Sequence, residues 1–509
     1  MLRKTLVMLL TLFLVIFSSS FLIMNFIRIG NDALGLRIIE IWLGERRESS
    51  TSSSALDINS LQLIVEQSLS LALFLFVVAV IIIKIEWRIA VAVLAISIII
   101  FSGIVPPYNL IHKSIEWDLI LFLIGSMIFA GLLREFGIFK YLAVNIIRIS
   151  RNNAYTLIAM ISLLAFVTAA VLDEVTSIIY IVTLIIELHS ILKIDAVPLI
   201  ITAVLATNTG SSALPIGNPI GVYILFSTNM SVNMFVRYSL PLAVLNIVIL
   251  ILMVFVVFKK YIIELRNVLT KREARLQVYM THYYTSLNGV KKSHLNYGLL
   301  MFVLFTITIL LNEHIAHLIS TIARQSVDSH SLLAFIPYIF IVLCFSKIPP
   351  EDLSKYIERA VEWPSLLFFI CLFILSYSLQ YTGVMAKLVY VLSKLATSTN
   401  LLLPLLLIFT TILSAVLDNL SVVVTFTPIT ILLNNLNLAS YLIYFALLYG
   451  AVFGGNYTPI GSTANIIAIS LAERKRIKIN WNTWLKLAFL STTVQVLAAL
   501  GWLYLQLYK

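Results

Sequence analysis

Gly454-Gly455-Asn456-Tyr457-Thr458-Pro459-Ile460-Gly461-Ser462-Thr463-Ala464-Asn465 interrupts an otherwise apolar run that extends over residues 441–469. A run of that length reads as membrane-embedded, because about 20 apolar residues cross a hydrocarbon core of about 30 Å. Glycine and proline in its middle unwind the helix, freeing carbonyls for a cation and N–H groups for an anion or a polar solute. The Asn, Ser and Thr side chains supply further neutral ligands. Unwound backbone at membrane depth survives only where protein or a water-filled cavity surrounds it. The competing reading is an ordinary exposed loop, and the apolar flanks argue against it.

An earlier segment has the same character. Thr207-Asn208-Thr209-Gly210-Ser211-Ser212-Ala213-Leu214-Pro215-Ile216-Gly217-Asn218-Pro219 breaks the apolar run 197–226. Its Pro-Ile-Gly lies 244 residues before Pro459-Ile460-Gly461, and Ala170-Val171-Leu172-Asp173 lies 245 residues before Ala415-Val416-Leu417-Asp418. Gly137 and Gly383 are 246 apart, as are the Trp-initiated runs at Trp117 and Trp363. Similarity between Leu-rich helices explains the Trp match, but not Asp and Pro-Ile-Gly recurring in the same order. The chain therefore contains an internal repeat.

Before each broken run an acidic residue interrupts an apolar stretch: Asp173-Glu174 between 154–172 and 175–188, and Asp418-Asn419 between 401–417 and 420–433. A charge at the bilayer centre costs between about 2.5 and well over 10 kcal/mol. Such a carboxylate must line a hydrated cavity, bind a cation or carry a proton. A surface loop between two full spans is the bland alternative, since the arms are long enough to cross. Pro428 is expected to kink the arm that follows Asp418.

The remaining expected spans are 5–27, 68–83, 89–105, 117–133, 238–258, 295–311, 332–345, 363–379 and 484–504. Composition agrees: of 509 residues, 60% are hydrophobic and 12% charged, with a mean hydropathy of +1.01, against about 25% charged in soluble domains. The net charge of +11 comes from basic residues in short loops, which fits the positive-inside rule better than a nucleic-acid surface. Lys259, Lys260, Arg266, Lys271, Arg272, Arg275, Lys291 and Lys292 place the central loop in the cytoplasm. Arg134, Lys140, Arg148 and Arg151 do so for the loop before Ala154, as do Arg474, Lys475, Arg476 and Lys478 for the stretch after Ile469. By parity the run at Trp117 goes outside to inside and that at Trp363 inside to outside, so the repeat is inverted. The N-terminal stretch resembles a signal peptide, but apolar residues resume at Phe21, so a retained first helix is expected with its N-terminus inside.

The predicted organisation is an all-α polytopic membrane protein of two inverted repeats. It has about 11 transmembrane helices, two re-entrant hairpins and two broken helices. Residues 1–62 form an extra span and an external Ser-rich loop around Ser49–Ser54, 63–260 the first repeat, 261–294 a basic cytoplasmic linker and 295–509 the second repeat. Inverted repeats with broken helices mark secondary transporters with a site at the membrane midplane. Asp173, Glu174, Asp418 and Asn419 are the expected coupling-ion or proton residues, with Na⁺ at the hairpin tips as one option. Thr176, Asn208, Thr209, Gly210, Ser211, Gly217, Asn218, Ser421, Gly455, Asn456, Thr458, Gly461, Ser462 and Asn465 are expected to line the substrate site. No cofactor beyond the coupling ion and no nucleic-acid partner is expected. A homodimer or a partner ATPase is compatible with this organisation.

Other groups carry less. Cys344 and Cys371 lie in apolar runs and read as packed hydrophobes. His314, His317 and His330 fall in one predicted external loop without metal-ligand pairing, and Glu66, Glu187, His189 and Asp195 lie near span ends. No nucleotide-binding glycine motif follows a strand pattern. A channel would use the broken helices as a filter, but inverted duplication favours a transporter. An intramembrane aspartyl enzyme lacks any accompanying hydrolase motif.

Leu417-Asp418-Asn419 and Gly454 to Asn465 together resemble the arsenite permease and sodium–proton antiporter group (ArsB/NhaD) of the ion transporter superfamily, also called citrate-transporter-like. The resemblance covers the chain from about Trp117 onward. It implies two scaffold–transport halves, hairpin tips at Asp173 and Asp418, and elevator-type alternating access. In two places the chain departs from the pattern. Glu174 stands where an Asn is expected, and Asn218-Pro219-Ile220-Gly221 lacks the usual Pro-Asn continuation. Neither tip carries the Ser-Asn-Thr pattern of the dicarboxylate branch. The function these features imply is ion-coupled transport of a small inorganic solute, by arsenite or antimonite efflux or by Na⁺/H⁺ exchange. The alternative is a citrate, dicarboxylate or other anion symporter.

Overall fold

A computed structural model describes residues 2–47, 57–150, 153–271, 292–348, 353–396 and 398–508. The Ser-rich stretch, Arg151, Arg272, Arg275, Lys291 and most of the expected central linker lie outside the described residues. Among the described residues every regular element is helical. Nine helices among the described residues are long and apolar enough to cross a membrane, including Ala154–Val171 and Glu174–Leu192, the two arms around Asp173. Length alone therefore does not make the first hairpin re-entrant. The arms around Asp418, Thr399–Ser414 and Asn419–Asn435, are shorter at 16 and 17 residues.

The chain forms two compact units, and each draws on both halves of the sequence. The first comprises Met1–Glu116, Trp363–Leu406 and Leu420–Leu447. Here the helix Leu2–Phe26 packs on Leu61–Ile83, and Trp363–Thr382 packs on Arg88–Phe101. Polar side chains close long sequence separations. The Trp42 indole N–H donates to the Tyr381 carbonyl at 3.1 Å. Arg46 pairs with Glu66 at 3.3 Å while its guanidinium covers the rings of Trp42 and Tyr381. Pro428 sits inside Asn419–Asn435 as expected. Lacking an N–H, it leaves the Val424 carbonyl, four residues back, without a helical partner. The Ser376 hydroxyl donates to that carbonyl at 2.8 Å, a side-chain repair typical of proline in buried helices.

The second unit comprises Trp117–Glu362, Leu407–Asn419 and Leu448–Lys509. The helix Val197–Ser211 packs between Ala154–Val171, Glu174–Leu192 and Val232–Val257, and all fifteen of its residues except Val197 are buried. Thr463–Arg474 packs on Glu174–Leu192.

Several expected loops are helices. Ile138–Ser150 precedes Ala154, Lys259–Lys271 opens the basic linker, and Asn312–Ala323 carries His314 and His317. Each is amphipathic, with apolar residues at helical spacing: Ile262, Leu265 and Leu269 are the buried stripe of Lys259–Lys271. A search tuned to long apolar runs passes over such helices because their charges dilute the mean. The Gly137/Gly383 match also gains a reason. Each glycine has positive φ (77° and 91°) and joins a long Trp-initiated helix to an amphipathic one, Ile138–Ser150 or Val384–Leu395. Side-chain-bearing residues rarely adopt that backbone.

Candidate functional site

Both tips and both breaks, 207–219 and 454–465, fall in the second unit. At the first tip the Asp173 side chain caps Glu174–Leu192, accepting from the N–H groups of Val175 (2.7 Å) and Thr176 (3.2 Å). This is ordinary N-cap chemistry, here supplied by a residue that costs heavily if left in hydrocarbon. Glu174 is 5% exposed and takes a long hydrogen bond from Ser211 at 3.4 Å. It is also within Coulombic reach of Asp173 and Asp418. At the second tip Asp418 accepts from Thr463 at 3.1 Å. Asn419 is buried, with its Oδ1 2.9 Å from the Ser414 hydroxyl.

The two broken helices are built alike. In each, Pro-Ile-Gly is followed by a capping residue that starts a new helix: Asn218 accepts from Gly221 N–H, and Ser462 from Ala464 N–H. A Cβ on Gly217 would meet the carbonyls of Ser211 (2.6 Å) and Ala169 (2.8 Å). A Cβ on Gly461 would meet those of Gly455 (2.6 Å) and Ser414 (2.8 Å). These partners are themselves 244 and 245 residues apart. Gly210 likewise presses on the backbone of Phe166, and Gly454 on that of Thr411. The repeated glycines thus mark repeated backbone crossings between hairpin arm and broken helix.

Asn208 ties the two halves together. Its amide donates to Asn456 Oδ1 at 2.7 Å and Asn465 Oδ1 at 2.9 Å, and its own oxygen accepts from Ser462 at 3.3 Å. Asn465 spends its N–H groups on the carbonyls of Gly455 and Thr458 at 2.9 and 2.8 Å, holding the unwound segment. Asn218 does the same for the first break through the carbonyl and hydroxyl of Ser211. The Asn419 and Asn456 Nδ2 groups and the Thr207 hydroxyl are buried without a hydrogen-bond partner among the described residues. Native proteins rarely leave such donors unmet unless a ligand or solvent meets them.

Of the expected site residues, Asn208, Asn456, Ser462 and Asn465 meet directly. Ser211, Asn218 and Glu174 form an adjoining chain, while Gly210, Gly217, Gly455 and Gly461 supply close crossings. Thr458 donates to the Ala415 carbonyl, and Thr209 faces Gln495, whose amide donates to it at 3.1 Å. Thr176 lines an open cavity beside Asp173. Ser421 belongs to the first unit, where it is buried. Sequence reasoning passed over Trp484, which donates to the Asn456 carbonyl at 3.1 Å, and Gln495, which also donates to the Asn246 carbonyl. An uncharged amide inside the final span was the available signal for Gln495. Among the described residues there is no cluster of three or more His, Cys, Asp or Glu able to hold a metal ion.

Helical throughout its described residues, multi-pass, with interrupted helices, half-buried tip aspartates and a buried Glu174, the chain is a polytopic membrane transporter. The family model described as "Citrate transporter" (CitMHS) matches residues 77–403 and 379–508, and the chain belongs to this family. An uncharacterised transporter of Mycobacterium tuberculosis is 26% identical over 403 residues, 78% of this chain and 87% of that protein. The human P protein is 23% identical over 445 residues, 75% of this chain and 53% of that protein. The crystal structure of the Alcanivorax borkumensis YdaH transporter overlays with a TM-score of 0.48 at 13% identity. It covers 78% of this chain and 86% of its own.

Proposed function

We propose that the protein is a secondary active transporter that couples movement of a small solute to H⁺ or Na⁺. Asp173, Glu174, Asp418 and Asn419 handle the coupling ion, and the crossing of the two broken helices holds the solute. The observation that carries this reading is Asn208, one buried amide engaging Asn456, Asn465 and Ser462 of the other broken helix. Two interrupted helices joined at their breaks, each beside an acidic tip, form the arrangement that inverted-repeat transporters use for binding. In this reading the basic loops, the N-terminus and the central linker face the cytoplasm, and access alternates by an elevator-type movement.

The solute is a small inorganic ion or neutral oxyacid, as in arsenite or antimonite efflux or Na⁺/H⁺ exchange. A second reading, citrate or another carboxylate as cargo, is favoured by the family's description. One experiment separates them: purified protein in proteoliposomes is given arsenite, Na⁺, citrate or succinate under an imposed pH gradient. Saturable, gradient-dependent flux of one of these is expected, and Asp418→Asn abolishes the coupling. Flux that ignores the gradient overturns proton coupling, and flux that survives unchanged in the variant removes Asp418 from the mechanism.

A further inference from the structure

Beside the first tip the second unit holds an open cavity of about 490 Å³, within the range of about 300–1,000 Å³ usual for small-molecule sites. Asp173 and Thr176 line it from the tip, and Ser470 from Thr463–Arg474. Three arginines also line it, each from a different element: Arg134 at the end of Trp117–Glu135, Arg359 in the last turn of Leu353–Ala360, and Arg474 at the end of Thr463–Arg474.

Basic residues at helix C-termini compensate the helix dipole, and positive-inside loops carry them regardless of function. Neither explanation requires three of them to converge on one concavity, nor all three to be arginine. Guanidinium groups are planar, permanently charged and matched to oxyanions in two-point contacts, whereas lysine supplies a point charge. All three are exposed, and Arg134 keeps an ion pair to Glu135 at 3.8 Å. On the lining three guanidiniums face two carboxylates, Asp173 and Glu362, an excess of one charge. Glu135 lies off the lining, and its long, exposed pair with Arg134 is screened by solvent.

We infer that this cavity is an anion-capture vestibule, in which Arg134, Arg359 and Arg474 hold a small di- or trivalent oxyanion before it reaches the first tip. The inference rests for its purpose on the transporter reading and, within it, on an anionic solute such as the carboxylate of the second reading, but its chemistry is testable without transport. A pocket with an excess of one sign of charge concentrates ions of the other sign. That preference fades as salt shortens the screening length from about 10 Å at 0.1 M to about 3 Å at 1 M.

The test uses full-length protein in nonionic detergent, with the buried Cys344 and Cys371 replaced by alanine and a reporter thiol placed by Ser470→Cys. The modification rates by the anionic sulfonatoethyl and the cationic trimethylammonioethyl methanethiosulfonates are each divided by that reagent's rate with 2-mercaptoethanol. The anionic reagent is expected to be favoured by about tenfold at low salt, with the preference collapsing in 1 M NaCl. Arg134→Gln, Arg359→Gln and Arg474→Gln each lower it, and the triple variant removes it. Millimolar citrate or phosphate slows the anionic reagent, and neutral arsenous acid does not. Protection by one but not the other assigns the oxyanion as carboxylate or inorganic. Arg359→Gln, in a short surface helix, keeps the test open if the triple variant aggregates. A ratio near one that ignores the arginines, or a preference for the cation, overturns the vestibule. Normal anion preference in a protein without coupled flux sinks the transport reading instead and leaves the vestibule standing.

Discussion

Replacing Asn208 by alanine removes both hydrogens it gives to Asn456 and Asn465 and the oxygen that accepts from Ser462. All of these groups are buried. A buried polar group stripped of its partner costs about 1–3 kcal/mol, and relaxation into a neighbouring bond recovers little here. Asn465 already has its amide committed to two carbonyls of the unwound segment. Asn208→Ala is therefore expected to lower the melting temperature in detergent and to remove saturable uptake. Asn456→Ala added to it should cost less than it does alone, because the bond it breaks is already gone. Strictly additive losses in the double-mutant cycle would show that the two amides do not act as a unit.

At the scale of elements, the crossings between hairpin arms and broken helices make a sharper demand. A methyl group on Gly454 would sit 2.5 Å from the Thr411 carbonyl oxygen and 2.8 Å from its Cα. Alanine gains about 1 kcal/mol over glycine in a free helix, but overpacking a rigid contact loses about 1–3 kcal/mol. The contact is backbone on both sides and cannot swing away. Gly454→Ala should melt earlier than wild type, whereas Gly501→Ala, in open space, should not. Equal melting of both variants would mean that the crossing yields freely. The same elements show how much of the fold was legible in the sequence. The spans, both tips and both breaks could be read because long apolar runs, isolated carboxylates and Gly/Pro clusters are strong local signals. The helices Ile138–Ser150, Asn312–Ala323 and Val384–Leu395 could not, since their half-apolar faces only make sense against a neighbour. Asn208, Asn456 and Asn465 were visible as candidates. That they bond to one another across about 250 residues depends on tertiary folding, as does the role of Gln495.

At the scale of the whole chain, stability depends on contacts between segments hundreds of residues apart. The most distant described side-chain bond runs from Lys387 to the Met24 carbonyl, at 2.7 Å across a separation of 363 residues. Lys387 belongs to Val384–Leu395, which is not among the candidate spans, yet its side chain is fully buried. Burial pushes its ammonium down to about 8; Arg28 adds to this and Asp57 opposes it. The amine donates to Met24 in either protonation state, so deprotonation removes the charge but keeps the bond. The sign follows from proton counting. Between pH 8 and the ordinary lysine value of 10.5, the unfolded chain holds a proton that the folded chain has released, so folding gains with pH across that window. Below pH 8 both states are charged and the burial penalty is present in full. Lys387→Met loses the Met24 bond and has nothing to titrate. The melting temperature of wild type minus that of Lys387→Met should therefore be flat up to about pH 8 and climb from there towards pH 10. A difference that stays level across the window, or falls, would show that burial does not penalise the ammonium where it sits.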